Sequence, residues 1–314
     1  MNVLVTGSSG LVGSALIDRL RSGGHRVSRL VRRSPVGGRA GAPISDVAWD
    51  PPSGTLDRAG LEQAGPFDGV VHLAGAGIGD RRWSPARKRV VMDSRTTSTS
   101  TLVDALIESS PPPAVLISAS AVGFYGDRGD EQLTEASSRG GGFLAALCGA
   151  WEEAARPAAA AGIRTVLLRT GIVLARRGGA LGRQLPLFRI GLGGRMGPGT
   201  QYRSWITLDD EVGVIMHCLE DPTLSGPVNA TAPTPVTDRA LAKAIGAALH
   251  RPSAVAVPSA ALRLALGSEM ATELILAGQR VLPEVLLSRG HTFAHADVDE
   301  AVRSVLTGGS GRPR

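Results

Sequence analysis

The residues best suited to chemistry stand near the start of the chain, where Thr6-Gly7-Ser8-Ser9-Gly10-Leu11-Val12-Gly13 follows the apolar run Asn2–Val5. A helix is predicted after these glycines, because Val12, Leu16 and Leu20 recur at intervals of four. Glycine permits a tight turn and lets a phosphate approach the N–H groups of a helix N-terminus. A plain strand–helix turn, the alternative, would need only one glycine. The predicted cofactor-binding residues here are Thr6, Gly7, Ser9, Gly10, Leu11, Val12 and Gly13.

The second strand indicates which dinucleotide suits this loop. In Rossmann proteins an acidic residue about 20 residues past the glycines binds the ribose 2′-hydroxyl of NAD. Here the stretch reads Arg29-Leu30-Val31-Arg32-Arg33, and no acid follows until Asp46. A guanidinium matches a phosphate in charge and geometry, so Arg32 and Arg33 favour the 2′-phosphate of NADP(H). The alternative is that both arginines only form a solvated strand end.

The elements that must position this site alternate along the first half of the chain. Apolar runs predict strands at Asn2–Val5, Val27–Val31, Gly69–Leu73, Ala114–Ser118 and Arg164–Arg169. Helices are predicted over Phe143–Ala161 and over Arg89–Ile107, with Val90, Thr97, Thr101 and Leu102 near one face. Repeated strand–helix–strand units predict an α/β fold of the Rossmann type, a doubly wound parallel sheet with right-handed crossovers.

The pattern changes after about residue 175. A glycine-rich apolar stretch, Arg177–Pro198, is typical of a mobile loop with a short helix. Further helices are predicted at Val236–Leu249, Ser259–Leu266, Glu269–Leu276 and Asp297–Leu306. The expected organisation is an NADP-binding Rossmann domain of residues 1–175 and 204–230, a smaller and mostly helical substrate-binding part of residues 176–203 and 231–306, and a disordered tail of residues 307–314.

Composition excludes several functional classes. The net charge of +6 comes mainly from arginine, with no basic run interleaved with aromatic residues, so no nucleic-acid partner is expected. Two isolated cysteines, Cys148 and Cys218, form no disulfide framework, and the six histidines show no metal-ligand spacing. The chain begins on an apolar strand, and no stretch reaches the roughly 18 apolar residues of a membrane helix. A cytoplasmic protein without metal or membrane partner is expected.

Several motifs resemble one protein family. Beside the glycine loop stand His72-Leu73-Ala74-Gly75, Asp93-Ser94-Arg95, Ser118-Ala119-Ser120, Trp151-Glu152, and Gly193 to Gly197 followed by Ser204-Trp205-Ile206. Together they resemble the extended short-chain dehydrogenases/reductases, and more narrowly the atypical, epimerase-like (YfcH-like) subgroup with its own C-terminal domain, here from about Arg251 to Leu306. The resemblance implies a seven-stranded Rossmann sheet. It also adds cofactor-binding residues: Leu73, Ala74, Gly75, Ser94, Ser118 and Ala119.

The residues that carry the chemistry in ordinary members of this family are absent. There a Tyr-x-x-x-Lys pair acts: the tyrosine passes the proton, and the lysine lowers its pKa and holds the nicotinamide ribose. The two tyrosines here are Tyr125 and Tyr202, and neither has a lysine four residues later. Where the pair is expected the chain reads Phe143-Leu144-Ala145-Ala146-Leu147. The absence is a trait of the subgroup that the chain resembles.

The remaining candidates for catalysis are Ser120, Tyr125 and Tyr202. Ser120 matches the serine that orients a substrate carbonyl, or it satisfies backbone groups at a strand end. Tyr125 occupies a position that is usually structural. The predicted substrate pocket consists of Ser120, Phe143, Gln201, Tyr202, Ser204 and Trp205.

Three further residue groups allow a functional interpretation. Asp209 and Asp210 favour a helix start over a paired-carboxylate site, because acids stabilise a helix N-terminus. His72 is interpreted as a core residue. Arg81, Arg82 and Arg95 either meet phosphates or an acidic substrate, or belong to the surface.

The hypothesis that best fits these residues is an NADP(H)-dependent oxidoreductase or epimerase-like enzyme. It would act on a small carbonyl-type substrate without the Tyr–Lys pair, as a monomer or homodimer. The alternative is a non-catalytic NADP(H)-binding protein with a redox-sensing or regulatory role, which would explain the loss of both residues. The retained segment Gly193 to Trp205 argues against this alternative, since a cofactor sensor has less need of a substrate region.

Overall fold

The computed structural model describes residues 1–32 and 44–308. The strands are β1 (Asn2–Thr6), β2 (Arg26–Val31), β3 (Ile44–Asp50), β4 (Thr55–Leu56), β5 (Gly69–His72), β6 (Val115–Ala121), β7 (Gln132–Leu133), β8 (Arg164–Thr170), β9 (Ile172–Leu174), β10 (Gly194–Met196), β11 (Tyr202–Arg203), β12 (Trp205–Thr207), β13 (Gly226–Ala230), β14 (Val236–Thr237), β15 (Val255–Val257) and β16 (Arg280–Val281).

The helices are α1 (Leu11–Ser22), α2 (Arg58–Ala64), α3 (Pro85–Ile107), α4 (Phe143–Ala160), α5 (Gly179–Arg189), α6 (Leu208–Glu220), α7 (Asp238–Ala248), α8 (Ser259–Leu266), α9 (Ser268–Met270), α10 (Glu284–Ser288) and α11 (Val298–Thr307). Two 3₁₀ turns, Pro51–Ser53 and Val122–Tyr125, and a π-helical turn, Ala271–Leu276, complete the described elements. None of the helices in residues 1–32 and 44–308 is long and apolar enough to cross a bilayer.

An eight-stranded sheet organises the described chain, in the order β13-β8-β6-β5-β1-β2-β3-β4. Pairs β1–β2, β2–β3, β1–β5 and β5–β6 are parallel, as the strand–helix alternation predicts. The resemblance implied a sheet of seven strands, whereas this sheet has eight because the edge strand β4 joins it. That two-residue edge strand pairs antiparallel with β3 after the turn Pro51–Ser53, where Gly54 adopts a left-handed φ of +67°.

The chain divides into two compact units, which interleave more often along the sequence than the two predicted domains. Unit 1 comprises Met1–Ser120, Leu147–Leu168 and Val212–Pro227. Its core contains the inward side chains of the sheet, such as Leu4, Val70 and Leu116, packed with Leu102 and Leu106 of α3. These side chains are nearly inaccessible to water, so their burial contributes roughly 1.5–3 kcal/mol each to folding.

Unit 2 comprises Ala121–Ala146, Arg169–Glu211 and the chain from Val228 on. Small two-stranded sheets, such as the parallel pair β9–β12 and the antiparallel pair β11–β14, lie within it. Its core packs α5, α7 and α11 through Leu185, Phe188, Ile245 and Val302, with Trp205 at its centre. The helix α11 extends to Thr307, which the sequence had assigned to the tail, and residues 309–314 lie outside the described residues.

The helix α3 begins where its sequence allows, because Ser84 caps it by accepting a hydrogen bond from the Arg87 amide and Pro85 occupies its first turn. Of the residues that mark one face of this helix in the sequence, Leu102 is buried and Thr97 and Thr101 are partly buried. Val90 is 51% exposed, whereas Val91, Arg95, Ser98 and Thr99 are buried. The buried face of the helix therefore combines apolar residues with Arg95, Ser98 and Thr99, and a search for apolar periodicity cannot detect this polar part.

Candidate functional site

The glycine loop between β1 and α1 has the geometry of a phosphate-binding turn. Gly7 has a φ of +66°, and a Cβ there would lie 2.7 Å from the carbonyl carbon and oxygen of Leu73. A Cβ on Gly13 would lie 2.3 Å from the carbonyl oxygen of Gly7. Gly10 caps α1 without a side-chain hydrogen bond, so the first amides of this helix are left for a ligand. The loop thus fits the pyrophosphate of a dinucleotide.

A cavity of about 1300 Å³ opens beside this loop, within unit 1. The predicted residues that line it are Gly7, Ser9, Gly10, Arg32, Leu73, Ala74, Gly75 and Ser94. Trp49, Pro51 and Pro52 line it too; they belong to β3 and the turn after it, which no pattern in the sequence indicated. Arg33 lies outside the described residues.

Thr6 is predicted as a cofactor residue, and its place is beneath the loop. Its hydroxyl oxygen accepts hydrogen bonds from the amides of Leu73 and Ala74, each at 3.1 Å. The same hydroxyl lies 2.8 Å from Nδ1 of His72, whose Nε2 lies 3.0 Å from the hydroxyl of Thr99. Burial lowers the pKa of His72 to about 3, so the imidazole stays neutral. His72 is therefore a satisfied core residue that fixes the loop after β5.

The cavity is lined by more cations than acids. Arg29, Arg32, Arg81, Arg82 and Arg87 face it, and Asp80 is the acidic residue among its described lining. Asp46 is held by Arg29 in a bidentate pair with N–O distances of 2.6 and 2.7 Å. Asp46 itself does not line the cavity, and this pair balances its charge. The electrostatics of the cavity therefore suit an anionic ligand.

Ser120 lies at the end of β6 and is buried. Its hydroxyl donates to Oε1 of Glu152 on α4, at 2.7 Å. Ser118, on the same face of β6, is fully buried, and among the described residues its hydroxyl has no hydrogen-bond partner. Ala119, between them, does not line the cavity described above. The hydroxyl proton of Ser120 is thus directed at a carboxylate, while its oxygen remains able to accept.

The start of α4 carries no proton donor where the Tyr–Lys pair is expected. The amides of Phe143 and Leu144 donate to the two carboxylate oxygens of Glu273, at 2.9 and 2.8 Å. Leu147 is completely buried. An acid at a helix N-terminus satisfies its amides and interacts favourably with its dipole. This end of α4 is therefore held by a helix cap, and acid–base chemistry has to come from elsewhere.

Tyr125 is placed in a hydrogen-bonded network inside unit 2. Its hydroxyl donates to Oδ1 of Asn229 at 2.7 Å and accepts from Nη1 of Arg169 at 3.0 Å. Burial raises the pKa of Tyr125, despite the opposing effect of the Arg169 charge. The guanidinium of Arg169 also lies 3.5 Å from the ring centre of Phe124. The contacts of this buried hydroxyl are those of a structural residue.

The predicted pocket residues of segment 201–205 differ in what they offer a ligand. The side-chain nitrogen Nε2 of Gln201 donates to the backbone carbonyls of Met196 and Ile275. Ser204 donates to the carbonyl of Gln279 at 2.7 Å, and Trp205, fully buried, donates to that of Thr234 at 3.0 Å. Tyr202 is partly exposed, with Arg280 4.9 Å from its ring centre. Of these four, Tyr202 is the side chain open to solvent.

Asp209 and Asp210 begin α6, as predicted. The carboxylate of Asp210 accepts from the amides of Ala294 and His295, and from the hydroxyl of Thr207. It is buried, whereas Asp209 is exposed, so the two carboxylates do not form a catalytic pair. No cluster of three metal-ligating side chains occurs among the residues that the structure describes.

Comparisons with known proteins agree with this geometry. The model of the NAD dependent epimerase/dehydratase family matches residues 3–230, and a domain of unknown function (DUF1731) matches residues 257–305. The chain belongs to the NAD dependent epimerase/dehydratase family. This membership confirms the resemblance seen in the motifs, including a separate C-terminal domain.

Relatives in this family cover nearly the whole chain. Epimerase family protein MT2273 of Mycobacterium tuberculosis is 46% identical over 305 residues, 97% of each protein. Human epimerase family protein SDR39U1 is 34% identical over 98% of this chain and 100% of its own length. The crystal structure of human SDR39U1 (isoform 2) with NADPH superposes with a TM-score of 0.87 and 31% identity, covering 98% of this chain and 99% of that one. The Rossmann fold and helical C-terminal region are thereby confirmed.

Proposed function

We propose that this protein binds NADP(H) in the cavity of unit 1. The observation that carries the proposal is the arginine-rich lining beside the glycine loop, with Arg32 exposed at the end of β2 and Asp46 neutralised by Arg29. A 2′-phosphate adds negative charge that Arg32 can bind and that an unpaired Asp46 would repel. The human relative solved with NADPH supports the same cofactor.

Different residues of the chain would then bind or support different parts of the cofactor. The amides at the N-terminus of α1 face the pyrophosphate, and Gly7 keeps the loop close to Leu73. Thr6 and His72 hold the loop after β5 in place from below. When bound, NADP(H) supplies a hydride donor or acceptor.

The reaction we propose is hydride transfer with a small carbonyl-type substrate, in an oxidoreductase or epimerase-like enzyme. Ser120 would accept a hydrogen bond from the alcohol form of the substrate, because its own proton is donated to Glu152. The proton of the reaction would come from water, from the substrate or from a residue outside the usual pair. We further propose that the protein works in the cytoplasm on a small molecule, as a monomer or homodimer.

A second candidate, a non-catalytic NADP(H)-binding redox sensor or regulator, is supported by a specific observation. Two of the hydroxyls that could act in catalysis are committed to protein partners: Tyr125 to Asn229 and Ser120 to Glu152. A site that only senses the cofactor would require neither hydroxyl to be free. The two candidates share the cofactor site and differ in whether NADPH is consumed.

The test begins with NADPH titration followed by fluorescence, on the wild type and on Arg32→Ala. We expect Arg32→Ala to lose about 1.5–3 kcal/mol of NADPH binding, the range for hydrogen bonds to charged groups, with NADH binding unchanged. Arg26→Ala, at the exposed start of the same strand, serves as the matched control and should bind like the wild type. Equal NADPH affinity in all three proteins would remove Arg32 from the site.

A panel of aldehydes, ketones, enones and imines then separates the two candidates. Consumption of NADPH with any member of the panel would establish an enzyme that works without the Tyr–Lys pair. Tight NADPH binding without consumption across the whole panel would favour the cofactor sensor.

A further inference from the structure

Arg95 is a buried cation inside unit 1. It lies on the inner face of α3 and is 7% exposed. Its Nη1 donates to the carbonyls of Ala76 and Val91, at 3.0 and 3.1 Å, and its guanidinium lies 4.9 Å from the ring centre of Trp151. These contacts fix the plane of the guanidinium. They do not use its Nε, which is buried and has no hydrogen-bond partner among the described residues.

No carboxylate in residues 1–32 and 44–308 is seen to balance the charge of Arg95. Burial lowers its pKa to about 10, and the ionisable neighbours that also affect it are Cys148 and Arg87, with no acid among them in the described chain. Burying an unpaired charge costs several kcal/mol, and an unsatisfied donor adds to that cost. Such a group is commonly found where a ligand supplies the missing acceptor.

Arg95 lies near the place where related enzymes carry the lysine that this chain lacks. Cys148 directly follows Leu147, the residue that stands where related enzymes carry the lysine, and the Cys148 thiol is close enough to affect Arg95 electrostatically. On its other side the guanidinium packs on Gly75, where a Cβ would lie 3.0 Å from Cζ. Gly75 and Ala76 line the cofactor cavity. The guanidinium of Arg95, on α3, thus lies beside the segment of α4 where related enzymes carry the lysine.

We propose that Arg95 takes over the cofactor-holding role of the missing lysine, and that its unpartnered Nε–H donates to an oxygen atom of the nicotinamide half of NADP(H). The inference rests on the proposed function, since it assumes that the cavity binds this cofactor. It assigns Arg95 to binding and not to proton transfer, because a guanidinium keeps its protons at neutral pH. It also explains why Gly75 has no side chain, since a Cβ would meet the guanidinium.

The experiment compares two ligands on the same variants. NADPH carries both halves of the cofactor, whereas 2′,5′-ADP carries only the adenosine half with its 2′-phosphate. Arg95→Met removes the charge at similar volume, and Arg95→Lys keeps the charge with fewer donors. We expect Arg95→Met to weaken NADPH binding about ten- to one-hundred-fold, with 2′,5′-ADP binding unchanged and Arg95→Lys in between. Arg89→Met, exposed on the same helix, should bind both ligands like the wild type.

Each alternative result overturns a distinct claim. Unchanged NADPH binding in Arg95→Met, or an equal loss of both ligands, would reduce Arg95 to a residue that shapes the loop through Ala76 and would refute the inference. A wild type that binds neither ligand would instead refute the proposed cofactor. Should Arg95→Met fail to fold, hydrogen exchange on the wild type decides: NADPH, but not 2′,5′-ADP, should slow exchange in the segment of α3 around Arg95. Equal slowing by both ligands would count against the inference.

Discussion

Glu211 offers a test of the structure that does not depend on any ligand. It stands in the first turn of α6, is buried, and accepts a hydrogen bond from the hydroxyl of Thr170 at 2.8 Å through Oε1. Its Oε2 is buried and has no partner among the described residues. Burial raises the pKa of this carboxyl from 4.5 to about 8, so the folded protein holds it protonated at neutral pH.

The raised pKa makes stability fall as pH rises. Between pH 4.5 and about 8 the folded protein retains a proton on Glu211 that the unfolded chain has released. The free energy of unfolding therefore declines with pH across this window, and is independent of this residue below and above it. The interval between the two pKa values, at about 1.36 kcal/mol for each pKa unit, corresponds to a decline of at most about 5 kcal/mol.

The perturbation is Glu211→Gln, measured by urea unfolding at a series of pH values from 5 to 9. Glutamine has the same shape, can still accept from Thr170, and does not ionise, so the variant should lose the decline that Glu211 causes. We expect the two proteins to be similar at pH 5 and the variant to be more stable by several kcal/mol at pH 9. Asp209→Asn, in the same helical turn but exposed, should follow the wild-type profile. Parallel profiles for the wild type and Glu211→Gln would refute the buried, protonated carboxyl.

Two further predictions concern the candidate site. Gly7→Ala should weaken NADPH binding at least ten-fold in a fluorescence titration, because its Cβ would meet the Leu73 carbonyl at 2.7 Å; Gly24→Ala, with a comparable φ of +76° and nothing within 4 Å, separates backbone strain from this clash and should bind normally. Tyr125→Phe should cost about 1–3 kcal/mol of stability in urea unfolding, since it removes the hydroxyl that bonds to Arg169 and Asn229, without changing NADPH affinity; unchanged stability would refute the structural role of this hydroxyl.

Local rules predicted the glycine turn between β1 and α1 because each rule acts over a few residues. The glycine spacing gave the β1–α1 turn, and the positions of Gly7, Gly10 and Arg32 follow directly from it. Arg32, directly after β2, needed only the length of that strand to reach the cavity. Asp46 is the first acidic residue after β2. Its pairing with Arg29 depends on the register of β2 with β3, and no pattern in the sequence indicated β3.

The polar residues on the buried face of α3 show why other parts of the site were not predicted. Arg95, Ser98 and Thr99 are buried because they meet His72 and Trp151, which come from other elements of unit 1. Apolar periodicity pointed to Val90, which is exposed. The contacts of Tyr125 depend in the same way on Arg169 and Asn229, far apart in the chain. A signal existed for Arg95 in the Asp93-Ser94-Arg95 motif, but it did not indicate burial.

The hydrogen-bonding capacity of Arg95 and Ser120 constrains the chemistry further. Arg95 can only donate hydrogen bonds, because a guanidinium has no acceptor. Ser120 can only accept from a ligand as long as its one proton is donated to Glu152. An alcohol that is to be oxidised carries a proton to donate and suits Ser120, whereas a carbonyl, which can only accept, gains nothing from Ser120 in this state. Oxidation of an alcohol would let its hydroxyl proton pass to Ser120 as the serine proton moves to Glu152, and reduction of a carbonyl would need Glu152 to return that proton through Ser120. Bound NADP(H) would supply the hydride acceptor or donor. Faster turnover of alcohols with NADP⁺ than of the matching carbonyls with NADPH is the direction that this hydrogen bond favours.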